Sequence, residues 1–559
     1  MKKPIPPVVY ALLLAAVAAA AGVFLFSQIN GPLVADEPQQ VDIASSLAGT
    51  ARPMAFSGST WKAVLCHPLL YHSLVAVPVG LAGKAPWAGR LAGLACFYAT
   101  GAILWLVAHR VTGERRGPFL AVLLYALHPL AVQSALSVDT DTALMPLVGM
   151  VLIWYLSRRD FDLGRGGWLG LGLLVGVALT AKFTTPPVLA AALGIYYVAA
   201  RRPRQLAYLA AALGISVILF AVYFVPYATI KGLPLLEPFK HSLGRVAAPG
   251  GAFWGVVVKR SLRLVLWLGL PFLITFFVAS LGEVRRRFAR VNPAVAYAAV
   301  AALALLLFYL LVGGDAYGFV KYHAPLVPLA ALVLGATFGP AFAGESKRTV
   351  LFLGALAFIY YLLVVRDPLY WPYVAREAKE VLLAPPGDVN KALALTGAFI
   401  ILPLVAFVVM TRRGGRVMSF VILAAAAGPA LDVRHARADY ERRFNYGERG
   451  LTEAASALRA VPEYMKLVVP VDVAFAERYR HPHVAVEDLL GDDEAFRLWV
   501  RDRYTGAVVL RDAYFIHDGY KEALENPRVI TVLENMYDIG RYGSFTVALR
   551  KRELWPEEP

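Results

Sequence analysis

Long apolar segments, separated by short polar ones, fill the first 431 residues of the chain. The first covers residues 8–29, and about 22 apolar residues exceed the apolar core of a signal peptide. We therefore predict a retained first transmembrane helix. Further spans are predicted at residues 87–108, 118–136, 142–156, 168–181, 186–200, 206–225, 262–281, 293–312, 323–343, 350–365, 392–410 and 417–431. The pattern predicts an α-helical polytopic membrane protein with about thirteen transmembrane helices.

Basic residues cluster in every second connection between the apolar segments, in HRVTGERRG, SRRDFDLGRGG, ARRPR, EVRRRFAR, ESKR and TRRGGR. Because cytoplasmic loops collect lysine and arginine, these stretches and Lys2 and Lys3 predict a cytoplasmic N-terminus. An odd number of spans then places the C-terminal part outside the cytoplasm. The long connections, residues 31–86, 226–261 and 366–391, all fall on that outer side. This asymmetry favours a protein that works at the outer face of the inner or plasma membrane.

The composition agrees with a membrane protein, since 58% of the residues are hydrophobic and 17% are charged, against about 25% charged in soluble domains. The first 431 residues hold 36 Lys and Arg against 16 Asp and Glu, while residues 432–559 hold 19 against 23. Basic residues between membrane spans reflect topology, so we expect no nucleic-acid partner. Two cysteines give neither a disulfide framework nor a metal cluster.

Residues 432–559 predict a soluble extracytoplasmic α/β domain. Helical patterns cover residues 447–461 and 518–525, and strand patterns cover residues 466–473, 506–511, 529–533 and 544–551. His481 and His483 are interpreted as part of a solvated loop rather than a metal site. We find no glycine-rich nucleotide-binding loop, which argues against a soluble nucleotide-linked substrate.

The first outer loop begins with an acidic pair, Asp36 and Glu37. Asp36 fits the N-cap of a short amphipathic helix that Gly49 would end, and a second helix is predicted over residues 64–81. The alternative to a cap is a general base, because a carboxylate at the membrane boundary can accept a proton from a substrate hydroxyl.

A second acidic element, Asp139 and Asp141, opens the fourth predicted span on the same outer side. Capping is again the structural alternative. Lys182 and Lys321 lie near outer ends of other spans, where lysines either snorkel to the interface or bind an anion. Both acidic elements fall on the same membrane face, which favours a shared cavity. The two lysines face the same side, where the phosphate of a lipid-linked donor would lie.

Five motifs resemble the C-type glycosyltransferase superfamily. They are the Asp36–Glu37 pair, HPLLYH at residues 67–72, Asp141 in DTAL, Lys182 in GVALTAKFTTPP, and VKYHAPLVPLAAL, which resembles a basic-Tyr-x-x-Pro stretch. The nearest branches are the protein O-mannosyltransferases and the lipid A aminoarabinose transferases, similar to glycosyltransferase family 39. The resemblance covers residues 8–345 in order and spacing. It implies an inverting transfer of a sugar from a polyprenyl-phosphate donor to a lipid, glycan or protein acceptor.

The resemblance implies roles for individual residues. Asp36 is assigned as the base, and Glu37 and Asp141 orient the acceptor or the sugar. The phosphate would be bound by Lys182 and Lys321, since cations stabilise the charge that develops on it. The further substrate-binding candidates are Asp139, Tyr322, His67 and Tyr71. Which of Asp139 and Asp141 matches the single aspartate of the family stays open, and a divalent cation is compatible with the carboxylates but not required.

Two other classes of function compete with an enzyme. A lipid transporter or flippase predicts internal inverted repeats and charges near the middle of the bilayer, whereas the acidic residues here lie at span ends and the sequence has no evident repeat. A non-catalytic scaffold that presents the outer domain leaves the ordered acidic and basic sites unexplained. The sequence therefore favours a membrane glycosyltransferase.

Overall fold

A computed structural model describes residues 6–31, 33, 37–57, 60–63, 68–164, 166–247, 292–312, 320–339, 450–489, 492–511, 526–543 and 545–558, with ten single residues between 257 and 280. The chain divides into two compact units. The first unit holds residues 1–29, 65–71 and 90–437, and the second holds residues 30–64, 72–89 and 438–559. The spans predicted at 350–365, 392–410 and 417–431, the helix at 518–525 and the domain boundary at 432 lie outside the described residues.

Helices make up the described part of the chain up to residue 339, apart from one hairpin. They are α1 (Pro7–Gln28), α2 (Glu37–Thr50), α3 (Leu70–Ala82), α4 (Pro86–Thr112), α5 (Arg116–Leu127), α6 (Pro129–Ala135), α7 (Met145–Arg158), α8 (Gly167–Leu179), α9 (Thr185–Ala199), α10 (Pro203–Ile230), α11 (Glu237–Ala247), α12 (Pro293–Leu311) and α13 (Leu326–Phe338). A π-helical turn, Thr140–Leu144, precedes α7, and a 3₁₀ turn, Val320–His323, precedes α13.

Proline positions explain several helix boundaries. Many of these helices, among them α1, α7, α9, α10 and α12, carry proline in the first turn, where the missing N–H costs no hydrogen bond. The span predicted at residues 118–136 is divided into α5 and α6. His128, which precedes Pro129, is extended with φ −70° and ψ 125°, because a residue before proline disfavours the helical conformation.

Four helical segments of the described residues are long and apolar enough to cross a membrane: Pro86–Thr112, Thr140–Arg158, Pro203–Ile230 and Pro293–Leu311. Shorter apolar helices include α8 and α9. The chain is thus a multi-pass membrane protein, and the number of thirteen spans stays a prediction.

Small residues permit close packing in the first unit. A Cβ atom added at Gly172 in α8 would lie 2.8 Å from the carbonyl oxygen of Ala212 in α10. One added at Gly335 in α13 would lie 2.6 Å from the carbonyl oxygen of Gly117 in α5. Both distances are shorter than any side chain tolerates, so glycine is what lets these helix pairs approach.

The second unit contains a hairpin and a five-stranded sheet. Its strands are β1 (Met54–Ser57), β2 (Thr60–Ala63), β3 (Lys466–Val469), β4 (His483–Ala485), β5 (Thr505–Arg511), β6 (Tyr537–Tyr542) and β7 (Phe545–Arg550). Its C-terminal helices are α14 (Leu451–Ala457), α15 (Val471–Ala476), α16 (Asp493–Arg501) and α17 (Pro527–Met536). The order of the sheet is β4-β3-β5-β7-β6, with β3 parallel to β4 and β5, and β7 antiparallel to β5 and β6. An α/β fold is therefore present, as the sequence predicts.

Several local predictions in the second unit are wrong. The strand predicted at residues 529–533 is part of α17, because Asn526 accepts a hydrogen bond from the N–H of Arg528 and Pro527 opens the helix. The strand predicted at 466–473 ends at Val469, where Pro470 leads into α15. The helix predicted from residue 64 begins only at Leu70, and the β1–β2 hairpin was not predicted.

Candidate active site

The π-helical turn before α7 carries two carboxylates of the first unit. Asp139 is extended, with φ −148° and ψ 137°, and its Oδ1 accepts a hydrogen bond of 2.7 Å from the N–H of Asp141. Asp139 therefore caps this turn, as the structural alternative predicts. Asp141 lies inside the turn and is buried, so it does not serve as the N-cap. Single π turns occur often at functional sites.

Each carboxylate is paired with one of the two predicted lysines. The Lys321 ammonium donates a hydrogen bond of 2.7 Å to Oδ2 of Asp139, and the Lys182 ammonium donates to Oδ2 of Asp141. The side chains of Lys182 and Asp141 are each 6% exposed. Lys182 therefore does not snorkel to solvent. The structure brings four predicted site residues together in one cluster of two positive and two negative charges.

An aromatic ring joins the two ion pairs. Lys182 Nζ lies 4.9 Å and Lys321 Nζ lies 5.7 Å from the ring centroid of Tyr322. A ring face attracts cations, so Tyr322 helps to hold both ammonium groups. The ring of Tyr322 stacks in turn on Tyr309, with 5.3 Å between the centroids. We call the set Asp139, Asp141, Lys182, Lys321 and Tyr322 the charge cluster.

Residues that the sequence analysis did not single out support the charge cluster. The Tyr309 hydroxyl lies 2.7 Å from the Thr185 hydroxyl and 3.2 Å from that of Thr184, and the ring of His323 packs against Tyr309 edge to face at 5.9 Å. The two threonines follow Lys182 within the TAKFTTPP motif, which is the signal that identifies them. A tyrosine within an apolar span, such as Tyr309, gives no comparable signal.

The other predicted site residues fall in different places. Tyr71 is buried, and its hydroxyl donates to the carbonyl of Ser137 at 3.4 Å, two residues before Asp139. The backbone N–H of the preceding residue, Leu70, donates to the carbonyl of Thr180 at 2.9 Å. The start of α3 thus contacts both segments that carry the Asp141–Lys182 pair. Glu37 begins α2 in the second unit and is buried, while Asp36 and His67 lie outside the described residues.

One atom of the charge cluster differs from the others. The second oxygen of Asp141, Oδ1, is buried and accepts no hydrogen bond from any described residue. Burying a carboxylate oxygen without a hydrogen-bond donor costs free energy, and a substrate hydroxyl can supply that donor. In the described part of the chain, no group of three or more His, Cys, Asp or Glu residues is arranged to hold a metal ion.

The histidines of the C-terminal segment were predicted to lie in a solvated loop, and this prediction is wrong. His481 and His483 are each 3% exposed, and both approach the carboxylate of Glu477. His481 Nδ1 lies 3.1 Å from Oε2 and His483 Nε2 lies 3.1 Å from Oε1. Burial opposes the charged carboxylate, but these two histidines outweigh it and lower the pKa of Glu477 to about 2.

Comparison with known proteins gives a family model and several solved structures. The model described as dolichyl-phosphate-mannose-protein mannosyltransferase matches residues 66–227, and no curated protein matches the chain in sequence. Crystal structures of ArnT from Cupriavidus metallidurans match the fold, one bound to undecaprenyl phosphate and one in the apo state. They are 17% and 18% identical to this chain, with TM-scores of 0.59 and 0.61. Both matches cover 98% of this chain and 99% of the ArnT chain.

The two kinds of match complement each other. The family model includes five predicted site residues, His67, Tyr71, Asp139, Asp141 and Lys182, because all of them lie between residues 66 and 227. The structural match extends over nearly the whole chain and thus also over the C-terminal α/β fold. The resemblance predicted from the sequence is confirmed: the chain has the fold of the ArnT crystal structures, and residues 66–227 match the mannosyltransferase family model.

Proposed function

We propose that the protein is a membrane glycosyltransferase that transfers a sugar from a polyprenyl-phosphate donor to a hydroxyl of a lipid, glycan or protein acceptor. The observation that carries this proposal is the charge cluster, in which the buried Lys182 and the partly buried Lys321 both lie near the ring of Tyr322. The crystal structure of ArnT with undecaprenyl phosphate supports a polyprenyl phosphate as the donor lipid. The basic connections support a cytoplasmic N-terminus and catalysis at the outer face.

The two lysines suit a phosphate that becomes a leaving group. An ammonium group carries three N–H donors, so a lysine that donates to one carboxylate oxygen can also donate to a phosphate oxygen. In the low dielectric of a buried site, such fixed charges stabilise a developing negative charge far better than water does. We assign the phosphate to Lys182 and Lys321, with Tyr322 holding both.

The transfer itself balances in charge as well as in atoms. The acceptor oxygen forms a bond to the anomeric carbon from the face opposite the phosphate, and the bond from that carbon to the phosphate oxygen breaks with inversion. The electron pair stays on the phosphate, whose negative charge rises by one. The acceptor proton passes to a carboxylate, whose negative charge falls by one. The net charge of the site is therefore unchanged, which suits a closely paired cluster.

The base is assigned to Asp36, with Glu37 and Asp141 orienting the acceptor or the sugar. Asp139 serves as the cap that fixes the turn and as the partner of Lys321. Tyr71, in the first turn of α3, and His67 are assigned to substrate binding. A divalent cation could share the phosphate with the lysines, and its addition and chelation are part of the test below.

The test is transfer of a radiolabelled sugar from a polyprenyl-phosphate donor in proteoliposomes. Lys321→Ala should raise the donor concentration needed for half-maximal transfer about ten- to a hundredfold, since it removes a charge-assisted contact. Lys240→Ala is the matched control, because that lysine is exposed on α11. Normal donor use by a Lys321→Ala protein that melts like wild type would refute the phosphate assignment. Transfer that is unchanged by a chelator would exclude the divalent cation.

A further inference from the structure

A polar network of Asp42, Lys84 and Tyr479 joins three segments of the second unit. Asp42 in α2 is fully buried, and its two oxygens accept hydrogen bonds of 2.5 Å from the Lys84 ammonium and 2.5 Å from the Tyr479 hydroxyl. Lys84 Nζ also lies 5.5 Å from the ring centroid of Tyr479. Residues 42 and 479 are 437 positions apart in the chain. The C-terminal segment thus contacts the helix that follows the first predicted transmembrane span.

The backbone that presents Tyr479 is unusual. Arg478 and Tyr479 have φ values of 65° and 52°, in the left-handed region that non-glycine residues rarely adopt. Glu477, at the end of α15, holds this turn by accepting hydrogen bonds from the N–H groups of Arg480 and His481 at 2.8 and 3.2 Å. The His481 and His483 rings fix the carboxylate of Glu477 from the other side. The turn is therefore rigidly built around the position of Tyr479.

The Tyr479 hydroxyl also has the protonation state that a lasting hydrogen bond to Asp42 requires. Burial raises the pKa of Tyr479, and the neighbouring Asp42 carboxylate raises it further. The hydroxyl therefore stays protonated and donates to Asp42 over the whole physiological range. A hydrogen bond to a buried charged acceptor is among the stronger kinds that a tyrosine makes.

The position of Asp42 on α2 determines which end of the helix the contact holds. Glu37 begins this helix, so the two residues are separated by about 7.5 Å along the helix axis. The first half of α2 is buried, including Glu37, Val41 and Asp42, whereas Ala48 and Gly49 near its end are exposed. Fixing Asp42 thus fixes the end of α2 that begins with Glu37.

We propose that Asp42, Lys84 and Tyr479 are positioning residues that hold α2, so that the C-terminal segment places Glu37 for catalysis. This inference rests on the proposed function above. It gives the C-terminal segment a role in turnover. A purely structural role would lower stability and turnover together, whereas a positioning role lowers kcat while melting and the donor KM stay nearly unchanged.

The test variant is Tyr479→Phe, which removes the hydroxyl and keeps the ring beside Lys84. Tyr464→Phe is the matched control, because its hydroxyl also makes one hydrogen bond in this unit, 2.8 Å to the carbonyl of Pro556. Amide hydrogen exchange over residues 37–50 should be about ten- to a hundredfold faster in Tyr479→Phe, since a charge-assisted bond that closes α2 is lost. In Tyr464→Phe it should stay at the wild-type rate.

Turnover gives the second readout. We expect kcat of Tyr479→Phe to fall about ten- to a hundredfold, as misplaced catalytic groups typically do, with a donor KM within about twofold of wild type. Should this variant not fold, Asp42→Asn tests the same contact from α2 and is expected to show the same two changes. Exchange over residues 37–50 at the wild-type rate would overturn the contact. Faster exchange with wild-type kcat would overturn the positioning role.

The two proposals fail in distinguishable ways. If the wild-type protein transfers no sugar from any polyprenyl-phosphate donor, the proposed function fails before any variant is compared. If the wild-type protein is active, only the comparison of Tyr479→Phe with Tyr464→Phe decides whether the Asp42 network positions α2.

Discussion

Replacing Lys182 separates a phosphate contact from a structural ion pair only when its partner Asp141 is replaced as well. The two side chains form a buried pair, each 6% exposed. Removal of one partner leaves an uncompensated buried charge and costs about 3–5 kcal/mol of stability. Lys182→Met alone is therefore expected to melt at a lower temperature, whatever the lysine contributes to catalysis.

The double variant Lys182→Met/Asp141→Asn removes both charges together. Replacing a whole buried pair by uncharged residues of similar volume is often neutral or stabilising, so its melting temperature should return close to that of wild type. Donor binding by the double variant should stay weaker than that of wild type. The phosphate still lacks a charge-assisted hydrogen bond of about 1.5–3 kcal/mol, which corresponds to about ten- to a hundredfold in the dissociation constant.

The assay is binding of a polyprenyl phosphate to purified protein in detergent, with thermal unfolding measured on the same samples. Asp141→Asn is the matched control, because it keeps the lysine and removes the carboxylate that competes for it. This control should bind the lipid at least as tightly as wild type but transfer sugar more slowly. If the double variant melts like wild type and binds the lipid as tightly as Asp141→Asn does, Lys182 makes no contact with the phosphate.

Three further predictions concern the topology, the base and the C-terminal fold. A cysteine introduced at Glu494, which is exposed on α16, should react with a membrane-impermeant thiol reagent on intact spheroplasts; reaction only after lysis would reverse the topology. Asp36→Asn should lower transfer about 10²–10⁴-fold with little change in melting, because Asn caps a helix as well as Asp but is no base; near-normal turnover, checked also with Asp36→Ser, would move the base to another carboxylate. Burial disfavours a charged His481, but the Glu477 carboxylate and the carbonyl of Val461 outweigh it and raise its pKa above 6.5. Thermal stability of the second unit should therefore be full below pH 6.5 and fall as the pH rises through the raised value, with a flatter profile in His481→Asn; equal slopes would contradict this.

The sequence predicts the members of the charge cluster but not its pairing. Asp139, Asp141, Lys182 and Lys321 each stand out because a charge at the end of an apolar segment is unusual. Their partners are a matter of distance in the folded chain, and Asp139 and Lys321 are 182 positions apart. Tyr309, which supports the cluster, has no local signal at all, because its role depends on the position of α12 relative to the motif that carries Lys182.

Local patterns mislead where capping and tertiary contacts outweigh them. Residues 529–533 are rich in β-branched side chains, which favour strands, yet the Asn526 cap and Pro527 begin a helix there. His481 and His483 stand beside one proline and one arginine in RHPH, a composition typical of exposed loops. Their burial depends on Glu477, and that contact becomes visible only once the turn after α15 is in place.

The contacts of Asp139 differ from those of Asp141. A cap needs an acceptor for the free N–H groups of its turn, and Asp139 supplies it with one oxygen while the other oxygen receives Lys321. Asp139 thus has a complete structural explanation. Asp141 caps nothing, and its Oδ1 is buried without a donor among the described residues. Since the pairing with Lys182 accounts for one oxygen only, we infer that Asp141 is the aspartate that faces the substrate.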